Sequence, residues 1–250
     1  MLRILFLDIE TAPNVVYTWG LFKQNIAPSQ VIEGHYVLCW AAKWLGEREM
    51  MFDSVHKSST KHMLKGIHKL LDEADVVVHQ YGAKFDIPML NTEFVKHGMK
   101  PPSPYKQVDL KKVSSDQFRF PSSKLEYVVS ALKIGKKLKE GVTFELWIRC
   151  LKGENAAWAL MEKYNRRDTA LLEPLYLKYL PWIKNHPNYG AFQTNKEVCP
   201  NCGGTHLQRR GFSVARLLRY PRYQCQDCGK WFKSNEALPR RKTRRYVEAG

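Results

Sequence analysis

The sequence has no apolar run approaching the ~20 residues that a membrane-spanning helix requires, so nothing in it reads as a transmembrane segment. Its opening Met-Leu-Arg-Ile-Leu-Phe-Leu resembles the start of a secretory leader, but Asp8 and Glu10 interrupt it too early for one. The expected location is therefore the cytosol, of a prokaryotic or a virus-infected cell, with no membrane partner. Acidic residues are scarce: 24 Asp and Glu face 40 Lys and Arg, for a formal charge of +16. That imbalance exceeds what solubility needs and points to a polyanionic partner. Nucleic acid stands ahead of a membrane surface, because no amphipathic basic helix stands out. Cysteines number only six, and four of them fall in two Cys-x-x-Cys pairs, which in a reducing compartment favours zinc over disulfides. The other two, Cys39 and Cys150, sit in apolar surroundings and read as small core residues. Hydrophobic content of 44% and aromatic content of 12% argue for a folded chain through most of its length.

At 250 residues the chain has room for one full-sized domain and a small satellite. Charge is unevenly spread. From Lys196 to Gly250 thirteen Lys and Arg stand against four Asp and Glu, so this stretch carries +9 of the +16. The expected division is a main domain over 1–183, a linker over 184–195 with Pro187 and Gly190, a cysteine-bearing module over 196–236 and a basic tail over 237–250.

The run from Leu2 to Leu7 reads as a buried central strand ending in Asp8-Ile9-Glu10-Thr11. Its two carboxylates, one residue apart, project to the same face. Like charges there are costly unless neutralised, for which a divalent cation suffices; a strand terminus facing water is the alternative. Val37–Trp44 and Met50–Phe52 read as antiparallel return strands. Between them and the first strand lies an irregular segment, 12–34, whose Tyr17, Trp19 and Phe22 are expected in the core, with a base-stacking groove as the other option. Ser58-Ser59-Thr60 offers caps for an amphipathic helix through Met63, Leu64, Ile67, Leu70 and Leu71 to Glu73. A short strand, 75–79, follows, so strand and helix alternate and a mixed α/β sheet is expected. Asp86, after Tyr81-Gly82-Ala83-Lys84-Phe85, falls at a strand-to-helix junction where it serves as an N-cap or as a site residue, and Pro88 fits the first turn of a helix ending near Gly98. Val108-Asp109-Leu110 reads as a short strand, and Ser122-Ser123 as caps for a helix bearing Leu125, Val128, Val129 and Leu132. The lysine-dense Lys133–Lys139 is a solvated face or a backbone-tracking groove. A last helical pattern runs from Asn155 through Leu172 before Pro174, and places Tyr164 and Asp168, four residues apart, on one face.

Asp8 and Glu10 on a strand, Asp86 at a turn, and Asp168 on a late helix with Tyr164 one turn earlier together resemble the DEDD superfamily of 3′ to 5′ exonucleases. These form the DnaQ-like group of the ribonuclease H-like fold, and the tyrosine points to their DEDDy branch, which includes proofreading domains of replicative polymerases. The resemblance covers roughly Leu2 to Leu180. One position departs from it: Tyr81 stands where family members often carry Asn. The resemblance implies an α/β fold, a ribonuclease H-like mixed sheet flanked by helices. It also implies two Mg²⁺ or Mn²⁺ ions held by Asp8, Glu10, Asp86 and Asp168, hard cations on oxygen ligands. Asp8 would bridge both ions, Glu10 and Asp168 would serve the nucleophile side, Asp86 would support the second ion, and Tyr164 would orient the attacking water. Thr11, Tyr81, Lys84 and Phe85, beside these motifs, are the expected contacts to the nucleic-acid strand.

Cys199-Pro-Asn-Cys202-Gly-Gly and Cys225-Gln-Asp-Cys228-Gly enclose a 22-residue insert. Matched pairs with Gly after the second Cys look like a C-terminal zinc ribbon holding one structural Zn²⁺, a redox dithiol being the alternative. Its arginines, with Arg222-Tyr223-Gln224-Cys225 and Trp231-Phe232, resemble ribbons of transposases. Arg209, Arg210 and Arg222, with Arg240 and Arg241 of the tail, are expected to contact nucleic acid; a structural or protein-docking role is the alternative.

The leading expectation is a metal-dependent 3′ to 5′ exonuclease on single-stranded nucleic acid, with DNA placed ahead of RNA and a replication or repair protein as a further partner. A structure-selective endonuclease of the same fold, or a nonenzymatic nucleic-acid-binding adaptor, are the other two readings.

Overall fold

The computed structural model describes residues 2–136, 140–192, 197–215 and 218–239. Contacts divide the chain into two compact units, Leu2–Tyr179 and Leu180–Gly250.

In the first unit, strand β1 (Ile4–Thr11) leads into the short pair β2 (Val15–Val16) and β3 (Val31–Glu33), then β4 (Val37–Trp44) and β5 (Met51–Ser54). Helix α1 (Thr60–Glu73), strand β6 (Val76–His79), helix α2 (Asp86–Lys96), strand β7 (Lys106–Asp109) and helices α3 (Leu110–Gln117), α4 (Leu125–Ala131), α5 (Phe144–Leu151) and α6 (Asn155–Tyr179) follow. Five strands form one sheet in the order β5-β4-β1-β6-β7. β4 runs antiparallel to β1 and β5, whereas β6 runs parallel to β1 and β7. The mixed sheet expected from the alternation of elements is present.

β1 is buried on both faces, as its unbroken aliphatic run requires. Alternation sorts its side chains. Leu5, Leu7 and Ile9 join the core with Met63, Leu64, Ile67, Leu71 and Leu90 from α1 and α2. Phe6 points the other way, edge-on to Tyr176 of α6 at 5.6 Å. Asp8 and Glu10 share the face of Phe6 by the two-residue period, so the strand delivers them toward α6. Cys39 and Cys150 are both core residues, as their surroundings implied.

Several local details differ from the sequence pattern. α6 continues past Pro174 to Tyr179. A proline there forfeits one helical hydrogen bond, and burial of Leu175, Tyr176 and Tyr179 beyond it offsets that loss. Leu110 begins a helix instead of ending a strand, because Asp109 caps α3 by accepting from the Lys111 and Lys112 amides at 3.0 and 3.2 Å. Ser59 caps α1 as expected, but α4 starts after Lys124 with no side-chain cap, Ser122 accepting only from the Lys124 amide. Tyr17, Trp19 and Phe22 are not core: they are 75, 101 and 84% exposed. The strands in this segment, β2 and β3, are two and three residues long and pair with each other rather than with the main sheet. The partly buried ion pair of Lys43 with Glu173 joins β4 to α6, where Glu173 also accepts from the Gly46 amide at 2.9 Å.

In the second unit, β8 (Leu207–Ala215), β9 (Leu218–Cys225) and β10 (Trp231–Lys233) form an antiparallel sheet in the order β10-β9-β8. Short 3₁₀ turns occupy Leu180–Trp182 and Tyr189–Phe192, the second within the span expected as linker. The Asn201 amide donates to Leu180 O at 2.8 Å, and Lys230 Nζ donates to Ile183 O at 2.7 Å. Residues 137–139 of the lysine-dense stretch, Arg216, and 240–250 of the tail, with Arg240 and Arg241, lie outside the described residues. No helix among the described residues is long and apolar enough to cross a membrane.

Candidate active site

Asp8 and Glu10 from β1 meet Tyr164 and Asp168 from α6 around one open cavity of about 310 Å³, whose wall also includes Gln80, Tyr81, Lys111 and Lys124. The helical face that carries Asp168 toward the sheet also carries Asn165, Thr169, Leu172 and Tyr176, spaced three and four apart and all buried. Asp86 is 5% exposed and lies against the β1 backbone, its Oδ1 accepting from the Ile9 amide at 3.2 Å. It is not an N-cap: Phe85 takes that position, and Asp86 begins the helix.

Burial is the first cause of each shift around the site, and Asp8 and Glu10 add to those of Tyr164 and Cys39. Burial pushes the Asp86 carboxyl from 3.8 to about 7, the Asp109 charge adding to it and the hydrogen bonds from Ile9 and its own amide opposing. The Tyr164 phenol is pushed well above its usual range, first by burial and then by Glu10, Asp168 and Asp8, and it hydrogen-bonds Asp168. The Cys39 thiol is raised by burial and then by Glu10 and Asp8. No core requirement explains such crowding.

An all-carboxylate donor set is hard oxygen chemistry and fits Mg²⁺ or Mn²⁺. Asp8, Glu10 and Asp168 stand around a cavity open to water, which leaves room for cations and their remaining water ligands. Among the described residues only the four ribbon cysteines form a group of metal-ligating atoms all within 4.8 Å of one another.

Several further residues support the site. Asn165, fully buried, donates Nδ2 to Asp8 Oδ2 at 2.8 Å and to Asp8 O at 3.2 Å. Asp109 accepts from the Tyr81 amide at 3.0 Å, which helps hold Tyr81 at a left-handed φ of 75°. Lys111 Nζ then sits 3.7 Å over the Tyr81 ring, a cation–π contact at the cavity wall. Gly82 is required by space: a Cβ there would meet His79 Cγ at 2.5 Å, where the Gly82 amide donates to His79 Nδ1. One signal could have found Asn165. It is three residues before Asp168 and so shares its helical face, and a polar residue on a buried face needs a partner.

Of the expected strand contacts, Tyr81 lines the carboxylate cavity, and Thr11 lines a neighbouring apolar cleft with Phe144, Trp147 and Tyr164. Lys84 and Phe85 are exposed on the turn and line neither. In the ribbon, Cys199 and Cys228 sulfurs are 3.7 Å apart, as are those of Cys202 and Cys225. Zinc with Zn–S of about 2.3 Å needs a tetrahedron with edges of about 3.8 Å, which this set fits. Gly203 and Gly229, at φ of 73° and 81°, turn the two knuckles alike. Arg209, Arg210 and Arg222 are exposed on the ribbon strands.

A five-stranded mixed sheet with antiparallel strands on one side, parallel strands on the other and carboxylates at the end of its central strand defines the class: a ribonuclease H-like α/β fold. Residues 5–180 match the model of the RNase_H superfamily, and the chain belongs to that family. Among solved structures it is similar to the family B DNA polymerase from the hyperthermophilic archaeon Pyrobaculum calidifontis, with 18% identity and a TM-score of 0.52. That likeness covers 72% of this chain and 25% of the polymerase. No curated protein matches it.

Proposed function

We propose that the protein is a metal-dependent nuclease that removes nucleotides from the 3′ end of single-stranded nucleic acid. The observation that carries this reading is the placement of Tyr164 and Asp168 of α6 across one cavity from Asp8 and Glu10 of β1. Family membership supports phosphodiester hydrolysis, and the Tyr–Asp pair favours the exonuclease over an internal cutter.

Asp8, Glu10, Asp86 and Asp168 would hold two divalent cations, which supply a water of lowered pKa and charge stabilisation at the leaving oxygen. Asn165 fixes the rotamer of Asp8. Burial is the first cause that raises the Tyr164 phenol, which suits it to orienting a water by hydrogen bonding rather than to acting as the base. Lys111 and Lys124 line the same cavity and would meet the backbone phosphates.

Matched DNA and RNA strands labelled at either end, incubated with Mg²⁺, Mn²⁺ or neither, test this. Stepwise shortening from the 3′ end that requires the cation and Asp8 supports the exonuclease. Internal cuts overturn the end specificity, and binding without cleavage overturns the enzyme.

A further inference from the structure

The three ribbon strands carry five cationic side chains, Arg209, Arg210, Arg219, Arg222 and Lys233, and no carboxylate. Strand alternation and register divide them between two faces. Pro221 and Cys225 of β9 are buried, so Tyr220, Arg222 and Gln224 point outward. Trp231 lies opposite Gln224 and Lys233 opposite Arg222, which places both on that outer face. On the other face Tyr223 stacks against Phe232 at 5.7 Å, and Arg209 and Arg219 both pack over Phe212.

The outer face has a definite order. Trp231, 45% exposed, lies at one end with Arg222 at 5.1 Å and Arg210 at 6.0 Å from its ring. Tyr220 lies at the other, with Lys233 Nζ 4.2 Å over it. The two rings are offset by four residues along the strand direction, about 13 Å at about 3.3 Å per residue, and Arg222 and Lys233 fall between them. A bulge between Arg209 and Phe212, with Gly211 at φ 72°, lets β8 present Arg210 to the same ring, and Arg222 Nε donates to Arg210 O at 3.0 Å.

We propose that this outer face binds single-stranded nucleic acid, with bases stacked on Trp231 and Tyr220 and backbone phosphates on Arg210, Arg222 and Lys233. Aromatic platforms separated by cations suit a strand whose unpaired bases alternate with charge. A folded protein partner would not need this charge, and a duplex would not offer its bases. The choice of ligand rests on the nuclease reading, but the face is tested without cleavage.

The full-length chain carrying Asp8→Asn, loaded with zinc and given no other divalent cation, is titrated into labelled dT20, U20 and an abasic strand of equal length, with binding read by anisotropy. The expected result is that Trp231→Ala with Tyr220→Ala weakens dT20 and U20 about tenfold or more and leaves the weaker abasic binding unchanged. Arg222→Gln with Lys233→Gln lowers the slope of log affinity against log salt by about 1.4. Arg209→Gln with Arg219→Gln, on the opposite face, changes dT20 binding less than about twofold. Zinc content of one per chain certifies that each variant is folded. The proposal is overturned if zinc-replete aromatic variants bind dT20 and U20 like the parent, or if the opposite-face pair loses more than the outer-face pair. Loss of binding in these variants while the unsubstituted chain fails to cleave would leave this face standing and remove the nuclease reading.

Discussion

Asn165 grips Asp8 at both its carboxylate and its carbonyl, at 2.8 and 3.2 Å, across 157 residues of sequence. The fully buried amide thus fixes the rotamer of the residue placed at the centre of the proposed metal site. Asn165→Ala is expected to lower kcat about 10–100-fold with little change in KM, as loss of a group supporting a metal ligand does. It should also cost about 1–3 kcal/mol of stability. Single-turnover rates across a Mn²⁺ titration check this: a purely structural role would lower the melting temperature and leave the rate at saturating Mn²⁺ intact.

Asp86 makes the metal-free protein pH-sensitive. Its folded pKa of about 7 lies above the ordinary 3.8, so between these values the folded state keeps a proton that the unfolded state has released. Stability from this group is therefore full below about pH 4 and lost as pH rises through about 7. Three pH units correspond to about 4 kcal/mol as an upper bound. Asp86→Asn should raise the melting temperature of the metal-free protein at pH 8 and change it little at pH 4, and added Mg²⁺ should narrow the pH 8 difference. Thermal melts at the two pH values, with and without Mg²⁺, decide it.

Legibility followed the range of the physics involved. The aliphatic run of β1 and its projection of Asp8 and Glu10 to one face are local, and the two-residue period is enough to read them. The approach of α6 to β1 is not local; it entered through the spacing of Tyr164 and Asp168 and the resemblance these carried. Asn165 was legible only as a polar residue on the buried helical face of Asp168, and Asp109 was missed because Val108-Asp109-Leu110 reads locally as a strand, so its capping of α3 and its bond to the Tyr81 amide do not show. Tyr17, Trp19 and Phe22 misled because aromatic residues are usually buried, whereas these three are exposed in a segment whose strands pair only with each other. Pro174 misled because its local cost is offset by packing beyond it.

Tyr164→Phe separates positioning from proton abstraction. Burial raises the phenol above its ordinary range, so kcat/KM between pH 6 and 10 should show no tyrosine limb in the parent. The variant should give a parallel curve lowered about 10–100-fold. A limb present in the parent and absent in the variant would assign the proton transfer to Tyr164 instead.

Removal of one ribbon thiolate should unfold only the ribbon. Cys202→Ser is expected to reduce zinc from one equivalent to below about 0.1 and to abolish the ribbon's protease resistance, since structural zinc supplies the folding free energy of such modules. The unit Leu2–Tyr179 has its own core and should keep its thermal transition within about 3 °C. Zinc analysis with limited proteolysis and calorimetry measures both.

The account as a whole depends on carboxylates from β1, α2 and α6 jointly holding divalent cations. Counting Mn²⁺ bound to the zinc-loaded chain by electron paramagnetic resonance, alongside 3′-end shortening of a labelled strand, tests that most directly. The account predicts two bound Mn²⁺ in the parent, and loss of tight binding together with at least about 10³-fold slower shortening in Asp8→Asn. Parental Mn²⁺ stoichiometry or a parental shortening rate in Asp8→Asn would contradict it.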